Sequence, residues 1–318
     1  MSDQDLQPEE FAQAAAAAIA DAQARSFREA ARVLAGAGLC GVCADEDAGG
    51  LALGTAFALP IVAEAGRLRL QWPLLETILV AKALGSSALA AELAGGTRIA
   101  TWALQGSLQD GYAGQARHAR ASDWVLVADG QGGAALLDLA TVRIEDDPAL
   151  DPDHPQSWLG LDHARVLATL DAAAFGALQR ERDILVAGLV HGAAEGALAA
   201  TAAYLATRVQ FGRPLSAKQA VRHLLARMRL LQEAAHAGIQ RVLDADEYGQ
   251  PRATRPVLAN ALSSAAFVLE KSIHLHGGMG FTWELPLHVS LREVRKFDAA
   301  FGSGALARQV GRDFIHSA

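Results

Sequence analysis

From Glu9 to about Thr97 the apolar residues recur at helical spacing. Phe11 to Leu34 is a nearly continuous run of Ala, Ile, Leu and Phe with interspersed Glu and Arg, which predicts helix. A glycine-rich turn, "EDAGGLALG", follows at Glu46–Gly54, and further helical stretches lead to Leu93 and a stop at Gly95-Gly96. Pro60 and Pro73 interrupt the block, so the pattern predicts several short helices over residues 1–97.

Between Arg98 and Leu170 the period changes. "RIATWAL", "WVLVAD", "AALLDL", "TVRIED" and "RVLATL" are short apolar runs separated by Gly, Asp or Pro, and they read as strands of a small β-domain over residues 98–170. Asp146–Trp158, "DDPALDPDHPQSW", reads as a loop. Helical patterning returns from Asp171, at about Ala172–Thr207, Ala217–Asp246, Pro256–His276 and Asp298–Phe314. Long Ala/Leu-rich helices joined by short turns predict an antiparallel bundle over residues 171–318. No internal repeat or low-complexity linker interrupts this order.

Composition sharpens the reading. Of the 318 residues, 51% are hydrophobic and 20% charged, as in an ordered globular chain. The formal net charge of −7 argues against a nucleic-acid partner, because no domain-wide basic face is available to neutralise phosphates. The basic cluster Arg222–Arg229 can still meet one anionic ligand. No apolar run reaches the roughly 18 or more residues of a membrane span. The acidic start "MSDQDLQPEE" lacks a signal-peptide pattern, so a cytoplasmic protein is expected. Cys40 and Cys43 form a CxxC pair, but no second ligand pair follows at zinc-finger spacing, and the surroundings are not those of a redox βαβ unit. Two reduced, partly buried thiols and no metal are expected.

Two stretches of the last block carry candidate chemistry. In "ATRVQFGRPLSAKQAVRHLLARM" a helix runs into Gly212-Arg213-Pro214 and restarts near Ser216. The break brings Arg208, Phe211 and Gln219 to one helix–break–helix corner, suited to an aromatic ligand bearing phosphate. The plainer alternative is an Arg complementing a helix dipole and a Phe in the core. In "HLHGGMG", Gly277 and Gly278 follow a helix, where they permit positive φ and close backbone approach to an anion, or form a simple C-cap.

Together, "RVQFG" with Gln219 following, "HGGMGFTWELP" and "LREVRKF" resemble the C-terminal half of the acyl-CoA dehydrogenase superfamily. "GLCGVCADEDAGGLALGTAFALPIVAEAGR" is similar to that family's first domain, with Asp45-Glu46 where a Pro-Glu pair usually precedes Gly-Gly. The resemblance implies a mainly α fold with a small β-domain: an N-terminal helical domain, a middle β-barrel and a C-terminal four-helix bundle. It implies FAD as cofactor, an acyl-CoA thioester as substrate and electron transfer to an electron-transferring flavoprotein. By the resemblance Arg208, Phe211 and Gln219 contact the diphosphate and adenine half of FAD held mainly by a neighbouring subunit. Gly277 and Gly278 would line the same dinucleotide. Ser303 takes the place of a Thr near the flavin and His274 that of a Gln; both retain hydrogen-bonding groups.

The departures concern the base. The family's usual catalytic Glu precedes a Gly-Thr pair; here that place is Phe301, before Gly302-Ser303. A minority of members carry the Glu on an earlier helix, a place that falls on Arg182, between Glu181 and Asp183. Either acid is a candidate base if the register shifts or the helix is rolled, and both otherwise mark an exposed helix start where the dipole favours acids. Glu284 is expected to be structural. The middle domain is trimmed, with Leu104-Gln105 where the family's flavin-contacting strand has Thr-Glu, and with no clear counterpart of its Trp-x-Thr-Asn-Ala strand. Three readings are open: a flavoenzyme using Asp183 or Glu181, a catalytically incomplete partner in a heteromer of two homologous chains (known among bacterial members), or a non-catalytic homologue. A shared flavin site implies an oligomer in the first two.

Overall fold

The computed structural model describes residues 6–147, 151–302 and 304–317. The chain forms two compact units: one runs through Val62 and takes in Leu70–Leu185, the other comprises Ala63–Arg69 and residues 186 onward.

In the first unit α1 (Glu10–Gln23), α2 (Phe27–Gly36), the first part of α3 (Thr55–Leu68), α4 (Leu74–Ala83) and α5 (Ala88–Ala94) precede the strands. The run Phe11–Leu34 is two helices. The break falls at Ser26, whose backbone N–H donates to Glu29 Oε2 (3.1 Å), starting α2 with a reach-back carboxylate. Pro73 is the N-cap of α4, as a helix-interrupting proline should be. Pro60 instead lies inside α3. The helix tolerates the lost hydrogen bond because Ala58, Ile61 and Val62 around it are fully buried, so packing outweighs the local cost.

Two four-stranded sheets follow, in the orders β1-β4-β5-β8 and β2-β3-β7-β6. The first contains the apolar runs read from the sequence: β1 (Ala100–Trp102), β4 (Trp124–Ala128), β5 (Ala134–Asp138) and β8 (Val166–Leu170). β1 pairs parallel with β4 and the remaining neighbours are antiparallel. On β4 and β5, Val125, Val127, Ala135 and Leu137 enter the core shared with Ala113, Ala116 and Leu159 of the other sheet. Leu126 and Leu136, on the opposite face, are also buried, which explains why these strands read as continuous apolar runs.

The second sheet holds β2 (Gln105–Ser107), β3 (Tyr112–Arg117) and β7 (Gln156–Gly160), absent from the sequence reading, beside β6 (Arg143–Asp146). β7 begins inside the expected loop Asp146–Trp158, of which residues 148–150 lie outside the described set. These strands are rich in Gly and Gln, and the reason is spatial. A Cβ on Gly114 would stand 2.4 Å from the Trp158 ring, so the indole of β7 lies across a bare backbone on β3. Helix and sheets are tied by buried polar contacts: Glu76 of α4 pairs with Arg117 at 3.5 Å, and Thr77 donates to the Ala100 carbonyl at 3.0 Å.

α6 (Ala172–Thr207) begins in the first unit and continues in the second. Its most apolar window has mean hydropathy 1.5 over 18 residues, long and apolar enough to cross a membrane, and 72% of that window is buried inside the protein. The expectation that no segment reaches this length therefore needs correcting; the burial is that of a core helix. In the second unit α7 (Gln219–Leu243) contacts α6's second half and packs on α8 (Arg255–Leu275), and α9 (Leu287–Ala300) and α10 (Ala305–Ser317) pack against α8. The expected helix Asp298–Phe314 is thus two helices. Gly302 and Gly304, at φ 93° and 79°, turn the chain between them.

Within the second unit α3 and α6 cross backbone to backbone. A Cβ on Gly66 would lie 2.0 Å from the Leu189 carbonyl oxygen, and one on Gly192 would lie 2.0 Å from that of Ala63. Gly66→Ala or Gly192→Ala should each cost about 3 kcal/mol or more, because backbone cannot yield as a side-chain tip can. Gly36→Ala, in α2 with open space around it, should be neutral or stabilising by up to about 1 kcal/mol. Urea denaturation of the three variants checks the contrast.

Candidate functional site

α6 ends at Thr207 and gives way to a hairpin instead of a simple break. The Arg208 N–H donates to the Tyr204 carbonyl (2.9 Å), and its own carbonyl accepts from Leu215 N–H (2.8 Å). Between them β9 (Val209–Gln210) pairs antiparallel with β10 (Arg213–Pro214). The two turn residues, Phe211 and Gly212, have φ 55° and 77°, the paired positive values of a type I′ turn. Gly212 adopts this freely, whereas a bulky Phe does so at a cost. Phe211 is 90% exposed, so the alternative of a core Phe is excluded. The Lys218 ammonium lies 5.0 Å from its ring centroid. Gln219, the first residue of α7, is exposed, as is Arg208.

Tyr204, one turn before Arg208, stacks on His276 with centroids 4.5 Å apart and planes at 21°. His276 directly precedes Gly277, so this stack brings the hairpin and the glycine turn to the same end of the second unit. Gly277 has φ 62°, and residues Gly277–Phe281 form a single 3-10 segment. Both Gly277 and Gly278 are exposed, with open space where a Cβ would stand. Gly280, which the sequence pattern did not single out, is the glycine that packing requires: its Cβ would meet the Ile273 carbonyl oxygen at 2.2 Å. His274 is exposed on the last turn of α8, and Glu284 is exposed in the loop before α9. Phe281 and Trp283 also face solvent, the indole held by Arg292 (4.9 Å to the ring) and by the edge of His288 (4.6 Å between centroids).

This end is cationic as well as aromatic. From Arg208 to Arg222 the chain carries Arg208, Arg213, Lys218 and Arg222 and no Asp or Glu. Guanidinium, amide, exposed ring and bare peptide N–H groups together form a donor set suited to a diphosphate joined to flat rings. Among the described residues no group of three His, Cys, Asp or Glu side chains is arranged to hold a metal.

The acids lie elsewhere. Phe301 closes α9, and the Arg255 guanidinium sits 5.8 Å from its ring centroid. Ser303 lies outside the described residues. In the first unit Asp183 is 3% exposed and accepts from Arg182 Nη2 at 2.8 Å. Arg182 is itself buried, with its guanidinium 5.2 Å from the Trp102 ring centroid. Glu181 pairs with Lys82 at 2.5 Å. Each candidate base is therefore held by a cation. Leu104 and Gln105 stand at the junction of β1 and β2.

The CxxC thiols are free and both buried. Burial pushes Cys40 up to about 12. Cys43 is also pushed up to about 12, by burial first, with the Lys82 and Glu181 charges acting on it in opposite senses. Neither is a thiolate near neutrality.

The family profile "Acyl-CoA dehydrogenase, C-terminal domain" matches residues 172–315. The chain is 28% identical over 308 residues to acyl-CoA dehydrogenase FadE34 of Mycobacterium tuberculosis, a match covering 91% of this chain and 42% of FadE34. This chain thus spans less than half of that relative's length. It is 28% identical over 256 residues to acyl-CoA dehydrogenase IpdE2 of Mycolicibacterium smegmatis, covering 75% of this chain and 72% of IpdE2. Among solved structures, the Tcur3481-Tcur3483 steroid ACAD G363A variant superposes with a TM-score of 0.84 at 25% identity, covering 98% of both chains. The ChsE4-ChsE5 complex from Mycobacterium tuberculosis gives 0.83 at 21% identity, covering 99% of both.

Two measurements check the local chemistry. Ellman's reagent should find no reactive thiol in the native protein and two on unfolding. Phe211→Gly should stabilise the second unit by about 1 kcal/mol in denaturant melts, by removing a side chain from the left-handed region.

Proposed function

The chain belongs to the acyl-CoA dehydrogenase superfamily, a family of oxidoreductases, and we propose that it serves as the catalytically incomplete partner in a heteromeric, FAD-dependent acyl-CoA dehydrogenase. The reading rests on one contrast. The nucleotide-facing groups Arg208, Phe211 and Gln219 stand exposed at one end of the bundle, whereas both candidate bases are bound to cations.

The donor set fits FAD at its diphosphate and adenine half. Arg208 would pair with phosphate oxygens, Gln219 would hydrogen-bond beside it, and Phe211 would offer a flat apolar face. Gly277 and Gly278 would admit the dinucleotide to peptide N–H distance, and His274 and Ser303 would add hydrogen bonds at the edges. When bound, FAD supplies the two-electron acceptor for α,β-dehydrogenation of the thioester, with an electron-transferring flavoprotein as the onward partner.

Removing the α-proton needs a free carboxylate within hydrogen-bond reach. Phe301 has no proton-accepting atom. Arg182 is permanently cationic, and the carboxylate of Asp183 is committed to it. Using Asp183 would require breaking its pairing with that buried guanidinium, which is unfavourable by several kcal/mol. A homologous chain that carries a Glu supplies the base more simply. Two comparisons support this assignment: the structural neighbours include two-chain complexes, and FadE34, at more than twice the matched length, has room for a second module of this size.

The visible absorption spectrum of the chain purified alone, and after co-expression with a homologous chain bearing an acid at the base position, tests the proposal. Flavin bands and turnover that appear only on co-expression are expected. Turnover by the lone chain that Asp183→Asn abolishes would instead make it a self-sufficient enzyme, and absence of flavin in both preparations would make it non-catalytic. Arg208→Ala should lower flavin occupancy of the complex at least tenfold after gel filtration, the loss of a charge-assisted phosphate contact.

A further inference from the structure

α6 leads into the Arg208 hairpin and α7 leads out of it, so the two helices run antiparallel. Their polar contacts lie about midway along them. Arg229 of α7 pairs with Glu195 of α6 at 3.1 Å and also with Glu233 on its own helix. Gln232 Nε2 donates to the His191 carbonyl at 3.1 Å. One turn on, the His236 ring lies 5.7 Å from that of His191, with planes at 34°. The register is symmetrical: His191 comes 17 residues before Arg208 and His236 comes 17 after Gln219. Two polar atoms at this crossing, His191 Nδ1 and Gln232 Oε1, are buried without a hydrogen-bond partner among the described residues.

We propose that the His191–His236 pair is an acid-sensitive latch between α6 and α7, closed while His191 is neutral and released when it takes up a proton. A charged His191 would face His236 and the Arg229 guanidinium from α7. Glu233, on the same helix, favours the charged form but is held by Arg229. Glu195, on α6 itself, is held by Arg229 as well. α3, whose Ala63 carbonyl abuts Gly192, contributes Glu64 and Arg67, which pair with each other at 2.5 Å. No acidic group on these three elements is left uncommitted among the described residues. Burial, then His236 and Arg229, push the imidazole down from 6.5 to about 4.

A histidine whose pKa is depressed in the closed state favours that state while both states are neutral. The advantage is present above about 6.5 and is lost progressively as pH falls toward about 4, because the open state binds the proton more readily. Since α6 and α7 position Arg208 and Gln219, opening the latch would loosen the nucleotide-facing hairpin. That consequence rests on the proposed FAD role, whereas the latch itself does not.

Hydrogen–deuterium exchange of the flavin-free chain at pH 7 and pH 5, corrected for intrinsic rates, tests it on the peptides of α6 beyond residue 186 and of α7. Wild-type protection should fall roughly 20-fold between the two pH values, the ratio expected when a group moves from about 4 closed to 6.5 open. His191→Leu should abolish the step, and His236→Gln should shrink it by removing one repelling ring. Should His191→Leu misfold, the imidazole titration followed by NMR decides: a His191 midpoint near 6.5 in the wild type overturns the latch. Unchanged wild-type protection, or an equal fall in both variants, overturns it too. FAD affinity of the co-expressed complex, measured separately at pH 7, distinguishes the two proposals, since its absence would remove the flavin assignment and leave the exchange result intact.

Discussion

The backbone contact between α3 and α6 is the constraint on which the second unit depends. Gly66 and Gly192 let the two helices meet with carbonyl oxygens where side chains would normally stand, and Gly196 continues the same face against Arg67. So close a crossing offers C–H···O and dispersion contacts along its length and leaves one rotational setting for α6. That setting decides what α6 residues meet: His191 and Glu195 meet α7 in the middle, and Tyr204 at the end stacks on His276, which caps α8. The hairpin and the glycine turn reach the same place because one helix is held rigidly upstream of both.

Charge is distributed in a way that separates binding from proton transfer. In the first unit Lys82 holds Glu181 and Arg182 holds Asp183, and the Arg182 guanidinium rests on Trp102. The buried Arg182–Asp183 pair is costly to break on one side, since a charge so enclosed has little water to replace the lost interaction. In the second unit the cations from Arg208 to Arg222 reach the surface with no neighbouring acids in sequence. A chain of overall charge −7 therefore exposes a cationic, aromatic end while keeping its candidate bases occupied. Phe211 adds a strained, exposed ring to that end, a conformation that folding alone does not favour.

Much of the architecture is legible in the sequence because period and punctuation follow from local sterics. The helical blocks, the apolar strands of the first sheet, the turn at Gly277-Gly278 and the missing acid at Phe301 can each be read from residues close together in the chain. The second sheet cannot, because Gly114 belongs in a strand only when Trp158, far along the chain, lies across it. Nor can the continuity of α3 through Pro60, which depends on burial around it. The break at Ser26 is present in the sequence as a Ser-x-x-Glu cap, a signal outweighed there by the apolar run on either side.

For the site, the chain by itself determined which chemical groups are available: Arg208, Phe211, Gln219, the paired glycines, and no acid at position 301. Only the tertiary structure decided their state. It turned the helix break into a hairpin that exposes Phe211, gathered hairpin and glycine turn at one end through the Tyr204–His276 stack, and bound Asp183 and Glu181 to cations. The reason is physical: residue type and local spacing set what a side chain can donate, accept or stack upon. Exposure and ion pairing depend on neighbours that folding alone brings within a few ångströms.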